Sequence, residues 1–291
     1  MKVALATAAQ VTSDVAHDVP LAVALRRQGV QVALAVWDDP AVDWSGFDLV
    51  IVRSTWDYAT RIADFRAWID HVAERTRLWN PAPLMHWNLD KRYLRDLEAR
   101  GVRLPPTAWL ERGADDSLAE LLAQRGWREA VVKPVVSASA RETWRVTRAE
   151  APAAEARLKA NLAREPMMLQ SFVDAILQEG ELSLIYIDGT FTHAVRKRPA
   201  PGDFRVQLEH GGSEEPVTPD ARLVAAGARV LRAASPEPIP YARVDLVPQA
   251  DGEPLLIELE LVEPCLYLGL AQEAAERMAR SALAAVGAYG L

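Results

Sequence analysis

Apolar runs of strand length alternate along this chain with segments whose apolar residues recur at helical spacing, and that alternation is the mark of an α/β protein. Lys2 to Thr7, Val30 to Trp37 and Leu49 to Arg53 read as buried parallel strands, with an amphipathic stretch around Pro20 to Gln28 and a further helix over Ile62 to Arg77. These make an open-sheet lobe over residues 1–84, closed by the break Asn80-Pro81-Ala82-Pro83. A central lobe, residues 85–175, opens with a helical pattern from Lys91 to Arg100 that stops at Gly101. It carries strands Ala130 to Val136 and Met167 to Val173 around a helix from Ala153 to Arg164. From Glu181 the pattern turns antiparallel. Leu182 to Ile187 turns at Asp188-Gly189 into Phe191 to Arg198, and Arg243 to Val247 turns through Gln249-Ala250-Asp251-Gly252 into Leu255 to Leu261. An Ala-rich helix from Gln272 to Tyr289 closes a third lobe, residues 176–291, and there is no internal repeat.

Half of the 291 residues are hydrophobic, enough for two or three packed cores. A net charge of −7 excludes a generic nucleic-acid or anionic-membrane partner, since both demand a cationic footprint. The single cysteine, Cys265, excludes an intrachain disulfide framework, and no Cys/His cluster has zinc spacing, so a reducing, cytoplasmic setting is expected. Met1 to Gln10 lacks the longer apolar region of a signal peptide, and no stretch approaches bilayer length. Self-association is left open.

The chemistry concentrates in the last hairpin. Glu258 and Glu260 are two apart on a strand and share a face, and the turn can bring Asp245 beside them. Three carboxylates on one face repel one another unless a hard cation neutralises them, and oxygen-only ligation suits Mg²⁺. A solvated acidic face has the same spacing. Here Val244, Leu246, Leu255, Ile257, Leu259 and Leu261 are expected to pack the other face, which leaves the acids to line a site.

Cations sit where a polyphosphate bound to such a metal would need them. Lys133 ends the apolar run Ala130-Val131-Val132, Lys197 and Arg205 flank the turn Pro199-Ala200-Pro201-Gly202, and Arg196 and Arg198 add charge to the same segment. Singly, each is an ordinary surface charge; with the acidic hairpin they make a site for phosphoryl transfer. No GxxxxGK[ST] and no GxGxxG follows the first strand, which disfavours a P-loop ATPase or a Rossmann dehydrogenase.

In their order, Asn88-Leu89-Asp90-Lys91, Val131-Val132-Lys133-Pro134, Gln170-Ser171-Phe172-Val173, Gly180-Glu181-Leu182-Ser183-Leu184, His193 to Pro199, Gly202 to Gln207 and Ala242-Arg243-Val244-Asp245 resemble the ATP-grasp superfamily. The likeness runs from about Asn88 to the end, and within the superfamily the chain is most similar to the O-ureido-serine cyclo-ligases of D-cycloserine biosynthesis. The resemblance implies a three-lobed fold with ATP held between two antiparallel-containing lobes, and ATP and Mg²⁺ as cofactors. It gives Lys91 and Lys133 to the nucleotide phosphates, Gln170, Ser171, Phe172 and Val173 to the adenine-facing hinge, and Glu181 to the ribose or its neighbouring cations. Lys197 and Arg205 go to the transferred phosphate, and Asp245, Glu258 and Glu260 to magnesium. Two departures stand out. Glu260 replaces the asparagine of many relatives, and the loop Ser137-Ala138-Ser139-Ala140 is small-residue rather than glycine-rich, with Ser137 and Ser139 as its phosphate contacts and lid.

For a small amino-acid-like substrate, the candidates are Arg53-Ser54-Thr55-Trp56-Asp57-Tyr58 at the end of the third strand, and Tyr267 in Glu263-Pro264-Cys265-Leu266-Tyr267. The first string reads equally well as a capped helix start with Trp56 packed between lobes. Arg141 is a candidate contact to an acyl phosphate. Cys265 reads as an inert thiol, and His86, His193 and His210 as weak metal ligands. Three functions are open: an intramolecular cyclo-ligase, an intermolecular amino-acid or peptide ligase, and a non-catalytic nucleotide-binding protein.

Overall fold

The computed structural model describes residues 1–10 and 15–287. Its first sheet has the order β2-β1-β3-β4, all parallel, from β1 (Lys2–Thr7), β2 (Gln31–Val36), β3 (Leu49–Ser54) and β4 (Leu78–Trp79). Between these strands run α1 (Val15–Arg27) and α2 (Ile62–Ala73). Alternation along β1 and β3 sends Val3, Leu5, Leu49 and Ile51 to one core and Ala4, Ala6, Val50 and Val52 to another, where Phe65 and Trp68 of α2 pack with Trp37 and Trp44. The helix expected to run to Arg77 stops at Ala73, because residues 74–77 must turn back to feed β4.

Helices α3 (Ala82–Asn88) and α4 (Tyr93–Ala99) lead into the central sheet, order β5-β8-β6-β7. It is built from β5 (Thr107–Leu110), β6 (Glu129–Pro134), β7 (Trp144–Thr147) and β8 (Met167–Ser171), with α5 (Leu118–Gln124) and α6 (Ala151–Arg164) packed on one face. The antiparallel pattern expected from Glu181 onward already holds here, since every pair in this sheet is antiparallel. β5 and β7, four residues each, carry too few alternations to stand out in the sequence.

After α7 (Ala175–Glu179), the third sheet runs β11-β10-β9-β12-β13 from β9 (Glu181–Ile187), β10 (Thr190–Arg198), β11 (Ser213–Val217), β12 (Tyr241–Val247) and β13 (Leu255–Glu260), with α8 (Ala221–Ala234) packed on one side. Gly180, at φ +77, sits where a Cβ would lie 2.5 Å from the Lys197 carbonyl oxygen, so the tight entry into β9 beside β10 requires glycine. The closing helix α9 (Gln272–Gly287) packs its Ala274, Ala275, Met278, Ala279 and Ala282 in the core that holds Leu21 and Leu25 of α1. Ala288 and Tyr289, to which the sequence pattern carried that helix, lie outside the described residues. Among the described residues, no helix is long and apolar enough to cross a membrane.

Candidate active site

The polar face of the third sheet and the open face of the central sheet enclose a cavity of about 640 Å³. On β6, Ala130 and Val132 enter the central core while Val131 and Lys133 face the cavity; on β8, Leu169 enters the core and Gln170 faces the cavity. Across the gap, pairing of Lys197 with Glu181 and of Asp245 with both Ser183 and Glu258 brings chemistry from four strands onto one face.

Asp245, Glu258 and Glu260 each offer a carboxylate oxygen, and these oxygens lie within 4.8 Å of one another. Such a donor set is all oxygen and hard, and it fits Mg²⁺. The apolar side of the hairpin differs from the expected alternation. Asp245 pairs with Glu258 but Leu246 pairs with Leu256, so Ile257 is bulged out of the ladder. Leu256 consequently takes the core place expected of Leu255 and Ile257, and Ile257 lines the cavity.

The acids are held by cations that sequence reading only partly found. Arg243, two residues before Asp245 on β12, donates to both Asp245 oxygens and pairs with Glu260. Ser183 Oγ donates to Asp245 at 2.6 Å, and Lys197 Nζ lies 2.5 Å from Glu181 and 3.4 Å from Asp245. Burial would raise Asp245, but Arg243, Lys197 and the Ser183 hydrogen bond bring its carboxyl down to about 2. Burial together with the neighbouring Glu258, Asp245 and Glu263 pushes Glu260 up to about 8 despite Arg243. A second cation at the same positions would relieve that repulsion. Lys91 Nζ donates to Glu258 at 2.7 Å and to the Ser137 carbonyl at 2.9 Å.

Lys133 is 9% exposed and, among the described residues, has neither a hydrogen bond nor an ion-pair partner. Burial, with Lys91 adding repulsion, lowers its pKa against the attraction of Glu258. A buried ammonium at a cavity wall without a counter-ion is a demand for an anionic ligand.

Gln170, Ser171, Phe172 and Val173 line the cavity, as do Ser137, Ser139, Glu181 and Arg205. Gln170 Nε2 is tied to Thr107 Oγ1 at 3.1 Å, and Phe172 meets Phe204 edge-on at 6.3 Å while Arg145 covers its ring at 4.1 Å. Asp203 orients Arg205 with a forked pair. Ser139 and Ala140 adopt φ of +48° and +52°, the left-handed conformation that glycine would take without strain. The loop thus keeps a glycine-like backbone with small side chains.

Several expected contacts lie elsewhere. Arg141 is forked onto Glu165 at 2.6 and 2.9 Å and does not line the cavity. Arg196 and Arg198 reach Glu215 on β11 instead. Of the strand-end string, only Trp56 and Tyr58 line the cavity, joined by Tyr267. Arg53, 2% exposed, is consumed by Asp18 of α1 at 2.9 Å and by the Pro264 carbonyl at 3.1 Å. Ser54 bonds Asp18 and Thr7, Thr55 is buried, and Asp57 serves Trp37 and Arg61. Asp18 lies 35 residues before Arg53 in a helix that no local pattern links to it. Cys265 Sγ is 3.6 Å from His17 Nδ1, while His86 is held by Asp70 and His193 by the Leu266 carbonyl. Sequence reasoning gave no role in the site to Arg243 or to the side chain of Ile257, both of which line the cavity; of the string Glu263 to Tyr267 it singled out Tyr267, and Glu263 and Cys265 line the cavity with it.

Known proteins are similar to this chain in sequence and in fold. Residues 3–80 match the family described as D-cycloserine synthetase DcsG, N-terminal domain, and residues 106–247 the ATP-grasp domain of prokaryotic glutathione synthetase. The cycloserine biosynthesis protein DcsG of Streptomyces lavendulae is 37% identical over 90% of this chain and 91% of its own. The crystal structure of D-cycloserine synthetase DcsG superposes with a TM-score of 0.90 at 35% identity, over 98% of this chain and all of that one. The ATP-grasp ligase PsnB, solved with a minimal precursor, Mg and ADP, shares the fold at a TM-score of 0.64 and 14% identity, over 98% of both chains. A parallel N-terminal sheet, two antiparallel sheets clasping a cavity, and a carboxylate triad facing lysines define an ATP-grasp ligase. Within that class, the chain belongs to the D-cycloserine synthetase DcsG family.

Proposed function

We propose that this ligase phosphorylates the carboxylate of a small amino acid of the O-ureido-serine type with ATP and closes it into a ring. The observation that carries the phosphorylation step is the uncompensated Lys133 facing the convergent oxygens of Asp245, Glu258 and Glu260. Residues 85–175 supply the nucleotide contacts Lys91, Lys133, Ser137, Ser139 and Gln170 to Val173, residues 176–291 the metal and phosphate contacts, and residues 1–84 the substrate end through Trp56 and Tyr58. Mg²⁺, held by Asp245, Glu258 and Glu260, would neutralise the polyphosphate.

The substrate carboxylate attacks the γ-phosphorus, an O–P bond forms, the β–γ bridging bond breaks, and ADP leaves with its electrons. Lys197 and Arg205 stabilise the charge on the transferring group. A nitrogen of the same molecule then adds to the acyl carbon, loses its proton, and inorganic phosphate departs. The loop Ser137 to Ala140 excludes water while the acyl phosphate exists. Ring closure is supported by the family relationship. An amine carried in the same molecule reacts at high effective concentration and needs no second acceptor pocket. The match to glutathione synthetase covers the ATP-binding part and says nothing of an acceptor.

The test is incubation with ATP, Mg²⁺ and O-ureido-serine without added amine. ADP release and a cyclic product by mass spectrometry are expected. ADP that appears only with a second amine, in a condensed product of both molecules, would establish an intermolecular ligase.

A further inference from the structure

Glu263 is a carboxylate that the phosphoryl-transfer scheme leaves unused. It is 8% exposed, lines the cavity with Trp56 and Tyr58, and among the described residues has no ion-pair partner. The Tyr58 hydroxyl is its side-chain hydrogen-bond partner. Lys91, the cation that acts on it, is committed to Glu258 at 2.7 Å. Glu258 and Glu260, on the strand that leads into it, repel it. Burial, opposed by the Tyr58 hydrogen bond and by Lys91, pushes its carboxyl up to about 7.

The backbone around this carboxylate is fixed from behind. Trp56 Nε1 donates to the Glu263 carbonyl at 3.0 Å, Arg53 Nη2 to the Pro264 carbonyl at 3.1 Å, and the Tyr241 hydroxyl to the Val262 carbonyl at 3.0 Å. The string Arg53 to Tyr58 therefore positions Glu263 more than it touches a ligand. A rigidly held buried carboxylate that lacks a counter-ion is costly unless a ligand supplies one, and the balancing ligand is a cation. Aromatic faces such as those of Trp56 and Tyr58 favour an ammonium in the same place. The cavity's polyphosphate machinery, Lys133, Lys197 and the carboxylate triad, accounts for the anionic parts of the reactants and leaves the ammonium of an amino acid without a partner.

We propose that Glu263, flanked by Trp56 and Tyr58, binds the α-ammonium group of the amino-acid substrate and so selects amino acids over simple carboxylic acids. This rests on the reading of the substrate as an amino acid under the proposed function.

The experiment compares wild type and Glu263→Gln, each with O-ureido-serine and with 3-(ureidooxy)propanoate, which lacks the α-amino group. For O-ureido-serine, Glu263→Gln should raise KM roughly ten- to a hundred-fold, the worth of a hydrogen bond to a charged group, and leave kcat within a few-fold. Wild type should lose a similar factor with the desamino analogue, and the variant should lose nothing further with it, because the two changes remove one interaction. Losses that multiply, or an unchanged KM in the variant, overturn the proposal. So does a variant whose KM is intact and whose kcat falls while hydroxylamine still traps the acyl phosphate, since Glu263 would then be a proton acceptor. Unchanged Mg·ADP affinity controls for folding; if the variant misfolds, wild type that does not discriminate between the two compounds still refutes the assignment. Failure of the proposed cyclisation shows separately, as wild-type ADP release that requires an added amine, and the same ratio is then read with O-methylserine and 3-methoxypropanoate.

Discussion

Lys91 and Glu258, one leading into α4 and the other on β13, form an ion pair of 2.7 Å across the junction of the central and third sheets. A lysine assigned to phosphate and a carboxylate assigned to metal thus neutralise one another until ligands arrive. Magnesium and nucleotide each free the other's partner, so their binding should be reciprocal and cooperative. Calorimetric titration of Mg²⁺ is expected to give a Kd about ten-fold lower with ADP present than without it. In Glu258→Gln that coupling should vanish and ADP formation should fall on the order of 10²-fold with the fold intact. Near-normal turnover of this variant at limiting Mg²⁺ would remove Glu258 from the metal site.

Lys133 has a different role, because among the described residues it has no direct ion-pair partner and feels Glu258, Glu181 and Asp245 only from a distance. Lys133→Met should weaken ATP binding by roughly ten- to a hundred-fold, the loss of a charge-assisted hydrogen bond, and raise the melting temperature of the ligand-free protein by removing a buried unpaired charge. Calorimetry and a thermal melt read the two effects. Unchanged ATP affinity would leave Lys133 without a role at the phosphates.

Arg53 and Asp18 form a buried pair, both under 4% exposed in their side chains. Arg53→Met leaves Asp18 uncompensated and should cost about 3–5 kcal/mol of stability, with Asp18→Asn in the same chain restoring part of it. ATP affinity should not change, since Arg53 does not line the cavity. Chemical denaturation distinguishes this from a direct substrate contact, for which stability would be unaffected and only KM would move.

The acidic cluster also sets a pH dependence. Glu260 at about 8 and Glu263 at about 7 stand above the ordinary 4.5, so the folded protein binds these protons more tightly than the unfolded chain. Their contribution to stability is full below 4.5 and is lost as pH rises through 7 to 8. The ligand-free melting temperature should therefore fall between pH 6 and pH 8.5 more steeply in wild type than in the Glu260→Gln/Glu263→Gln double variant. Equal slopes would place the titrating groups elsewhere.

How much of this was legible follows from the range of each interaction. The convergence of Asp245, Glu258 and Glu260 was legible because Glu258 and Glu260 obey strand alternation and a hairpin brings Asp245 opposite, all within one local motif. The bulge at Ile257 could not, because a slipped register leaves no mark in a run of leucine and isoleucine. Arg243 was within reach, since it alternates with Asp245 on β12, but a cation beside a supposed cation site reads as a contradiction until the ligand-free charge balance is seen. Arg53 was unreadable in principle: its carboxylate partner and its carbonyl partner lie 35 and 211 residues away.

The covering of α1 by α9 also imposes an order on biosynthesis. Residues 85–271 must be translated between the first lobe and the helix whose Ala274, Ala275, Met278, Ala279 and Ala282 share its core, which at 5–20 residues per second takes roughly 10–40 s. Throughout that interval the nascent first lobe presents the apolar side of α1 to solvent. The native packing of α1 is therefore completed only once α9, about 250 residues further along the chain, has been made.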